Sequence, residues 1–290
     1  MRAKTNQDFK LYGIFGFPLG HTLSPVMHEA AFRKLSIKAF YLPFEVRRED
    51  FRRLMKKRAR LLLDGFNVTV PYKEEALRWL DKVSPAARAI GAVNTAVRKG
   101  KRWYGFNTDS FGFITSLEKD GEFGPRGKRA LILGAGGSAR AVVYALAKRG
   151  IRQITIVNRT RARAKKIAIQ YERLFPRVSF LTKDLKAGCE DKGSREVDLV
   201  VNATSVGLRP GDRSLISSGE FPKKTLFVDL IYRPTETRLL RLARQSGHRT
   251  LNGLGMLVYQ GTEAFRLWTG RRAPVDVMRA AIHQRALRAH

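Results

Sequence analysis

The chain has 290 residues, and its 43% hydrophobic and 10% aromatic side chains are typical of a globular protein with one large domain or two ordinary ones. The formal net charge is +31, from 56 Lys and Arg against 25 Asp and Glu, but the basic residues are spread along the whole length, which favours a solvated surface over a nucleic-acid site. No apolar run approaches the ~20 residues of a membrane span, no signal peptide is expected at the N-terminus, and the single cysteine, Cys189, excludes a disulfide framework or a cysteine-built metal site, so a cytoplasmic location is expected.

The first part of the chain alternates strand and helix patterns, which predicts a mostly parallel sheet. Ser24 is expected to cap the first helix, with Pro25 at its first position. The predicted elements are a strand at 11–19, a helix at 24–35, a strand at 39–46, a helix at 49–62, a strand at 65–71, a helix at 72–80 and a hairpin within 92–109.

A second unit is expected to begin after the turn-rich stretch at 124–128. Residues 129–150 have the pattern of an apolar strand, a glycine turn and a helix. Further short apolar runs suit strands that are buried on both faces, and they lie within 153–160, 197–204 and 225–232. Helical patterns at 256–270 and 274–290 follow, and we expect these helices to pack back on the first domain.

The glycine turn of the second unit directly follows a strand and opens a helix. Gly134, Gly136 and Ala139 form the pattern G-x-G-x-x-A. In this pattern the first glycine permits a tight turn, the second lets the backbone approach a pyrophosphate, and the small third residue lets helix and strand pack closely. The diphosphate would lie at the helix N-terminus. The sequence therefore predicts a Rossmann-type, dinucleotide-binding domain rather than a purely structural turn.

The end of the next strand indicates which dinucleotide is bound. An NAD-binding unit would place a carboxylate there for the ribose hydroxyls. This chain has Asn158, Arg159, Thr160 and Arg163 instead, and guanidinium groups suit a ribose 2′-phosphate. The sequence therefore predicts NADP(H), against the alternative of a basic helix start in a basic protein.

Hydroxyl side chains and histidines surround the start of the first predicted helix. Thr22 and Ser24 stand two residues apart, so both hydroxyls could face one side of an extended segment as an anion-binding corner. On this motif alone, an ordinary helix cap is the simpler interpretation. His21 and His28 lack the partner pattern of metal ligands, and we expect no metal site.

Further polar side chains end apolar stretches in the first domain. Asn67 and Thr69 share one face of their strand just before Lys73, which suggests a polar wall. Asn94 and Asp109 end two similar stretches. Lys73 lies at the start of a predicted helix, where the macrodipole disfavours a cation. Lys73 is therefore either a solvated surface residue or a residue whose positive charge is needed for function.

In this arrangement the sequence resembles the shikimate dehydrogenase family along nearly its whole length. The matching segments, in the order of the family, are HTLSP, NVTVPYK, GAVNT, NTD, GAGGSAR, NRT, NATSVG, DLIY and GLGMLVYQ. The resemblance implies the NADPH-dependent reduction of 3-dehydroshikimate to shikimate, in aromatic amino acid (chorismate) biosynthesis. It also implies an α/β fold in which an N-terminal α/β substrate domain faces a doubly wound Rossmann domain across a cleft.

The resemblance also implies roles for individual residues. The catalytic pair would be Lys73 and Asp109. The substrate would be bound by Thr22, Ser24, Asn67, Thr69, Asn94, Tyr232 and Gln260, with Thr22, Ser24 and Tyr232 on its carboxylate. The cofactor would be bound by Gly134, Ala135, Gly136, Gly137, Ser138, Ala139, Asn158, Arg159, Thr160, Arg163, Thr204, Leu230, Gly253 and Met256.

The chemistry explains why a lysine is wanted at position 73. Hydride transfer to a ketone builds negative charge on its oxygen, which then needs a proton, and a positioned ammonium could serve both purposes. The helix N-terminus favours loss of its proton, while Asp109 alongside would favour the charged form. Whether Lys73 is a proton donor or mainly an electrostatic clamp is left open by the sequence.

Three alternatives compete with this interpretation. A quinate/shikimate dehydrogenase would use NAD or NADP, and the arginines argue against NAD without excluding it. A glutamyl-tRNA reductase would need a nucleophilic cysteine in the N-terminal domain, whereas Cys189 lies in the Rossmann half. A nucleic-acid-binding protein on a dehydrogenase scaffold would account for the basic charge, but the Lys73 and Asp109 pair argues against it.

The expected domain organisation follows from these assignments. We expect a substrate-binding catalytic domain at 1–108, a Rossmann NADP-binding domain at 109–253, and C-terminal helices at 254–290. The partners expected are the small-molecule substrate and cofactor, with no membrane; a homodimer is compatible with the sequence, which does not determine the oligomeric state.

Overall fold

The chain divides into two units. The computed structural model describes residues 9–20, 22–185, 196–209 and 211–287, with the backbone alone at 286 and 287. The first unit comprises Met1–Thr108 and Val258–His290, and the second comprises Asp109–Leu257. Cys189 and His21, for which we expect no metal-binding role, lie outside the described residues.

The first unit is built on a six-stranded mixed sheet. Its strands are β1 (Lys10–Gly16), β2 (Ala39–Glu45), β3 (Gly65–Val68), β4 (Lys82–Val83), β5 (Thr95–Lys99) and β6 (Arg102–Phe106). They lie in the order β2-β1-β3-β5-β6-β4. Strand β1 pairs in parallel with β2 and β3, and β4 pairs in parallel with β6. Strands β5 and β6 pair antiparallel as the predicted hairpin, which turns at Gly100 with a φ of +61°, and β5 also pairs antiparallel with β3.

Helices connect these strands. They are α1 (Ser24–Lys34), α2 (Arg48–Lys56), α3 (Lys73–Ala76) and α4 (Pro85–Ile90). The helix expected at 49–62 ends at Lys56 and is followed by a single 3₁₀ turn. The helix expected at 72–80 has only one turn. The carbonyl of Lys73 accepts a hydrogen bond from the N–H of Val93 at 2.8 Å, so a tertiary contact competes with helix growth at this point.

Helix α4 was not predicted, although its start carries local signals. The Ser84 hydroxyl accepts a hydrogen bond from the N–H of Ala87 at 3.2 Å, and Pro85 is the first helical residue. The helix ends at Gly91, whose φ of +74° lies in the left-handed region that favours glycine. With six residues it is too short for a periodic apolar pattern to reveal it.

The second unit contains a six-stranded sheet in which all pairings are parallel. Its strands are β7 (Arg129–Leu133), β8 (Gln153–Val157), β9 (Ser179–Lys183), β10 (Leu199–Asn202), β11 (Leu226–Asp229) and β12 (Thr250–Leu251). Their order is β12-β11-β10-β7-β8-β9. Counted within the unit, this is the order 3-2-1-4-5-6 of a doubly wound dinucleotide-binding sheet, with its switch point between β7 and β10. The predicted α/β fold with a Rossmann-type unit is confirmed.

Helices cover this parallel sheet, and each face has its own apolar core. The helices are α5 (Asp109–Lys119), α6 (Gly137–Lys148), α7 (Arg161–Leu174) and α8 (Arg238–Gln245). On one face, side chains such as Ile132 and Ile156 pack with Val142 of α6 and Ile167 of α7. On the other face, side chains such as Leu133 pack with α8. Burial on both faces explains why these strands appear in the sequence as unbroken apolar runs.

The chain continues with α9 (Leu254–Thr269) and α10 (Val275–Leu287). Helix α10 packs against α1 within the first unit. Trp268 of α9 donates its indole N–H to the carbonyl of Ala96 at 3.0 Å. Its ring lies against Gly65, where an added Cβ would approach the indole nitrogen to 2.3 Å.

A fully buried histidine lies in the aromatic core of the first unit. The His28 ring stacks on Tyr41, with centroids 4.6 Å apart and planes 13° apart, and it also contacts Phe32 and Trp268. Neither ring nitrogen has a hydrogen-bond partner among the described residues. Burial lowers the pKa of His28 to about 3, so the ring is neutral at physiological pH.

This histidine is expected to make the protein less stable in mild acid. The unfolded chain binds a proton below the ordinary pKa of 6.5, whereas the native state does so only near 3, so the free energy of unfolding falls as the pH drops through this range. Between pH 7.5 and pH 5 the expected loss is about 2 kcal/mol. In urea unfolding, the variant His28→Phe, which keeps a ring against Tyr41, should lack this loss. Equal pH dependence in both proteins would contradict the prediction.

Candidate active site

The loop before α1 carries the hydroxyl residues Thr22 and Ser24. The N-cap of α1 is Leu23, and no side chain caps the helix. The expectation that Ser24 is the cap is wrong, because Ser24 is itself the first helical residue and its hydroxyl does not serve the helix end. The N–H of Ser24 donates to the Thr22 hydroxyl at 3.4 Å, and the N–H of Thr22 donates to the carbonyl of Leu19 at 2.9 Å. Anion binding by this pair stays a prediction.

Asn67, on β3, is buried, and both its amide oxygen and its amide nitrogen form hydrogen bonds within the first unit. Its amide oxygen accepts a hydrogen bond from the Tyr41 hydroxyl at 2.7 Å. Its amide nitrogen donates to the carbonyl of Asn94 and to the Thr95 hydroxyl, each at 3.0 Å. These bonds favour a supporting function for Asn67, which holds the neighbouring chain in place. Its contact with a substrate stays a prediction.

Asn94 lies at the centre of a second set of hydrogen bonds in the same unit. Its amide oxygen accepts from the N–H of Thr108 at 2.7 Å. Its amide nitrogen donates to the Thr108 hydroxyl at 2.9 Å and to the amide oxygen of Gln260, on α9, at 3.3 Å. All three side chains are at most 8% exposed. The structure thus brings together Asn94 and Gln260, which are far apart in the sequence.

Lys73 is half-buried at the start of α3. The preceding turn closes with a hydrogen bond from the N–H of Tyr72 to the carbonyl of Thr69 at 2.9 Å. Glu75, on the same helix, forms ion pairs with Arg48 at 3.6 Å and Arg52 at 2.5 Å, which attach α3 to α2. A single helical turn has only a weak macrodipole, so the expected influence of a helix end on Lys73 is smaller than the sequence suggests.

Two of the predicted residues for substrate and catalysis belong to the second unit. Asp109 is the first residue of α5 and is 4% exposed. Tyr232 follows β11 and is half-buried. Burial raises the pKa of the Tyr232 phenol, while the nearby charge of Arg233 opposes this shift. The phenol therefore keeps its proton at neutral pH and can donate it in a hydrogen bond to an anion.

The glycine turn joins β7 to α6 at the switch point of the second sheet. Gly134 has a φ of +111°, its N–H donates to the carbonyl of Val157 at 2.8 Å, and an added Cβ would lie 3.0 Å from the carbonyl oxygen of Ala203. The fold itself therefore requires glycine at 134. Ala139 is fully buried against the core, as the pattern predicts.

Gly136 is different, since nothing in the fold requires it to be a glycine. Its φ of −92° and ψ of −173° are accessible to any residue, and an added Cβ would meet no atom within 4 Å. It is the N-cap of α6, whose first turn, with Gly137 and Ser138, contains no acidic residue. The first N–H groups of a helix have no acceptor within the helix and attract anions. An open glycine at this point fits the close approach of a diphosphate to the backbone.

The turn between β8 and α7 carries the predicted 2′-phosphate residues. Asn158 donates its side-chain amide to the carbonyl of Thr160 at 2.9 Å, and the N–H of Arg163 donates to the same carbonyl at 3.0 Å. Thr160 is the N-cap of α7 without capping it through its hydroxyl. Arg159 and Arg163 are exposed, so their guanidinium groups are accessible to a ligand.

Four further predicted cofactor positions follow β10, β11 and β12, three of them on loops and Met256 in the first turn of α9. Thr204 follows β10, Leu230 follows β11, and Gly253 and Met256 flank the start of α9. The N–H of Gly253 donates to the carbonyl of Ile231 at 3.1 Å. A Cβ added to Gly253 would lie 2.1 Å from the carbonyl oxygen of Leu230, so packing alone accounts for this glycine.

The variant Gly253→Ala is expected to be destabilised, because the methyl group would push the backbone of Leu230 aside. Overpacking of this kind costs about 1–3 kcal/mol. Thermal unfolding monitored by circular dichroism would measure the loss. The matched control is Gly124→Ala in the same unit, where an added Cβ meets no atom within 4 Å and the melting temperature should hardly change. Equal melting temperatures for both variants would count against the prediction.

The structure also places polar residues for which the sequence predicted no role. The Thr108 hydroxyl accepts from Asn94 and donates to the amide oxygen of Gln260 at 3.4 Å. Asn202 and Asp229 are buried side by side at the ends of β10 and β11. Each of these three is a polar residue at the end of an apolar run, and this position is the signal that could have identified them.

The described residues contain neither a metal-binding cluster nor a membrane-spanning helix. No group of three or more His, Cys, Asp or Glu side chains there is arranged to hold a metal ion. In the same residues, no helix has both the length and the apolarity needed to cross a lipid bilayer.

Family models and a relative of known name all relate this chain to shikimate dehydrogenases. Family models match at 14–96 (shikimate dehydrogenase substrate binding domain), 119–234 (shikimate / quinate 5-dehydrogenase) and 253–283 (shikimate 5′-dehydrogenase C-terminal domain). The shikimate dehydrogenase (NADP(+)) of Desulforamulus reducens is 42% identical, and the match covers 97% of each chain.

Two solved structures are similar to this chain over nearly its whole length. The shikimate 5-dehydrogenase of Thermus thermophilus in complex with NADP(H) and shikimate is 39% identical, with a TM-score of 0.83, and the match covers 95% of this chain and 99% of that one. The quinate dehydrogenase of Corynebacterium glutamicum in complex with NAD is 31% identical, with a TM-score of 0.86, and the match covers 96% of this chain and 99% of that one.

Proposed function

Because the chain belongs to the shikimate dehydrogenase family, we propose that it catalyses the reversible reduction of 3-dehydroshikimate to shikimate with NADPH, in aromatic amino acid (chorismate) biosynthesis in the cytoplasm. The observation that carries this proposal is the open glycine at position 136. It stands at a helix N-terminus beside the switch point of a doubly wound sheet, where the fold does not need a glycine and a diphosphate does.

The residues of this chain divide the work of binding the cofactor. The backbone N–H groups at the start of α6 hold the diphosphate, and the exposed guanidinium groups of Arg159 and Arg163 hold the ribose 2′-phosphate. Residues that follow the remaining strands support the other half of the cofactor; these are Thr204, Leu230, Gly253 and Met256. When bound, NADPH supplies the hydride.

The substrate is held by hydroxyl, amide and phenol groups. Thr22, Ser24 and Tyr232 bind the carboxylate, since each offers a hydroxyl and the Tyr232 phenol stays protonated. The ring hydroxyls and the reacting oxygen are bound by Asn67, Thr69, Asn94 and Gln260. Asn94 and Gln260 are already fixed by their mutual hydrogen bond, which reduces the entropy lost when substrate binds.

Lys73 and Asp109 assist the transfer of a proton. In the direction of reduction, negative charge develops on the carbonyl oxygen, and the ammonium group of Lys73 stabilises this charge and delivers a proton to the oxygen. The ion pairs of Glu75 with Arg48 and Arg52 fix the helix that carries Lys73.

A steady-state assay that follows nicotinamide absorbance tests the proposal. The purified protein would be given shikimate or quinate, each with NADP⁺ and with NAD⁺. Strong turnover with shikimate and NADP⁺ alone is the expected result. Absence of turnover with all four pairs would contradict the proposed activity.

The second candidate is a quinate/shikimate dehydrogenase that uses NAD. The similarity to a quinate dehydrogenase in complex with NAD favours it, as does the shared family model for the two activities. A preference for quinate or for NAD⁺ in the same assay would support this candidate. Against it stand the two arginines after β8, where an NAD-binding unit would place a carboxylate.

Because the net charge is +31, binding to nucleic acid should be tested separately. Binding to duplex or single-stranded nucleic acid would weaken steeply with added salt. We expect no binding at physiological salt. The proposed activity would be carried by a monomer or a homodimer, which sedimentation would distinguish.

A further inference from the structure

The loops after β10 and β11 are joined by a completely buried carboxylate, Asp229. Its Oδ1 accepts hydrogen bonds from the N–H of Ile231 at 3.0 Å and from the side-chain amide of Asn202 at 3.1 Å. Its Oδ2 accepts from the hydroxyl of Thr237 at 2.7 Å and again from Asn202 at 3.1 Å. The carboxylate is the acceptor in every one of these bonds, so one side chain connects the end of β10, the end of β11 and the start of α8.

Asn202 passes this connection on to Thr204. Its amide oxygen accepts hydrogen bonds from the N–H of Thr204 at 3.1 Å and from the Thr204 hydroxyl at 2.7 Å. Its amide nitrogen also donates to the carbonyl of Val206 at 3.0 Å, and the Thr204 hydroxyl accepts from the N–H of Val206 at 3.1 Å. The orientation of the Thr204 loop thus depends on which way the Asn202 amide points, and Asp229 determines this because it accepts only from the nitrogen.

Stability alone does not explain why a carboxylate is buried in this network. Burial raises the pKa of Asp229, and the hydrogen bonds from Asn202, Ile231 and Thr237 oppose the shift. Buried charged groups frequently add less stability than apolar side chains of the same volume would. A charge kept in such a place therefore suggests a requirement for a fixed geometry.

The position of the network shows what would need that geometry. A doubly wound sheet consists of two mononucleotide-binding halves. In this unit the glycine turn after β7 and the arginines after β8 lie in the adenosine half, whereas β10, β11 and β12 form the other half. Thr204 and Leu230, both expected at the cofactor, flank the Asn202 and Asp229 pair in that second half.

We propose that Asp229 is a positioning residue for the nicotinamide half of the cofactor, acting through Asn202 on the Thr204 loop and through Ile231 on the Leu230 loop. This inference rests on the proposed function, because it assumes that NADPH is the ligand. Asp229 itself touches neither the cofactor nor the substrate. It fixes the two loops that do.

The test compares two ligands and two matched variants. Asp229→Asn replaces one acceptor oxygen by a donor, so its new amide group would face donors. Asp198→Asn makes the same chemical change at the amino end of β10, where the carboxylate accepts from the N–H of Arg129 at 3.0 Å. The ligands are NADPH, which spans both halves, and adenosine 2′,5′-bisphosphate, which occupies only the adenosine half. Dissociation constants would be measured by calorimetry, well below the melting temperature of each variant.

We expect Asp229→Asn to bind NADPH roughly tenfold more weakly or worse, from the loss of a charge-assisted hydrogen-bond network, and to bind the bisphosphate as wild type does. Asp198→Asn should bind both ligands normally. In turnover, the KM for NADP⁺ should rise more than kcat falls. Unchanged NADPH binding in Asp229→Asn would overturn the inference, since Asp229 would then not be coupled to the cofactor loops. An equal loss for both ligands in a folded variant would also overturn it, since the effect would not be confined to the nicotinamide half.

A milder variant covers the case in which Asp229→Asn does not fold. Thr237→Val removes a single donor to the same carboxylate, and its NADPH affinity should fall in the same direction by a smaller factor, with the bisphosphate unaffected. NADPH affinity equal to wild type in this variant would then count against the inference. Failure of the wild-type protein to bind NADPH at all would instead contradict the proposed function.

Discussion

The variant Lys73→Ala is expected to turn over shikimate about 100-fold to 10,000-fold more slowly than wild type, with little change in the KM for shikimate. Under the proposed function the ammonium group interacts with charge that develops on the reacting oxygen, and this charge is much smaller in the bound ground state. Steady-state kinetics with saturating NADP⁺ would measure both constants. The matched control is Lys101→Ala, an exposed lysine in the turn between β5 and β6, for which wild-type kinetics are expected.

The conservative variant Lys73→Arg separates the two functions of the ammonium group. A guanidinium group keeps the positive charge but does not release a proton near neutral pH. Recovery of turnover would identify electrostatic stabilisation as the main contribution, whereas turnover as low as in Lys73→Ala would identify proton transfer. Near-normal turnover in Lys73→Ala would contradict both functions.

The double variant Arg159→Ala/Arg163→Ala is expected to lose its preference for NADP⁺. Under the proposed function each guanidinium group makes a charge-assisted contact to the 2′-phosphate, so kcat/KM with NADP⁺ should fall roughly 100-fold. The value with NAD⁺, which lacks this phosphate, should stay within about twofold of wild type. Both coenzymes would be compared in the same assay with shikimate.

The control for this pair lies on the same helix. Arg173 is an exposed residue in the last turn of α7, away from the β8–α7 turn, so Arg173→Ala should leave both values unchanged. This control accounts for the general loss of positive charge in a protein of net charge +31. A parallel fall with NADP⁺ and NAD⁺ in the double variant would show that the arginines do not read the 2′-phosphate.

The sequence by itself determined the features that depend on neighbouring residues. The second unit was predictable because strands buried on both faces appear as apolar runs, and because a glycine turn between strand and helix obeys local backbone sterics. The position of Arg159 and Arg163 at the end of β8 followed from counting along this pattern. The β5–β6 hairpin was predictable for the same reason, since Gly100 supplies the positive φ of its turn.

Helix ends and short helices were determined less well by the sequence. Helix α3 stops after one turn because the carbonyl of Lys73 receives a hydrogen bond from Val93, a residue of a later segment. Serine is a residue type that often caps helices, but Ser24 occupies the first helical position. Local propensity is a weak preference, and contacts between distant segments override it by small free-energy differences.

Only the tertiary structure decided how the buried polar groups pair. The Asn67 amide hydrogen-bonds to the Tyr41 hydroxyl and the carbonyl of Asn94, and Asp229 hydrogen-bonds to Asn202 and Thr237, all of which lie on other segments of the chain. In the sequence Asn67 is a polar residue within a predicted strand and Asp229 is one at the end of an apolar run, and neither shows a sign of its partner. A buried polar group must be paired, but which group pairs with it depends on strand order and register, and these emerge only when the whole sheet is packed.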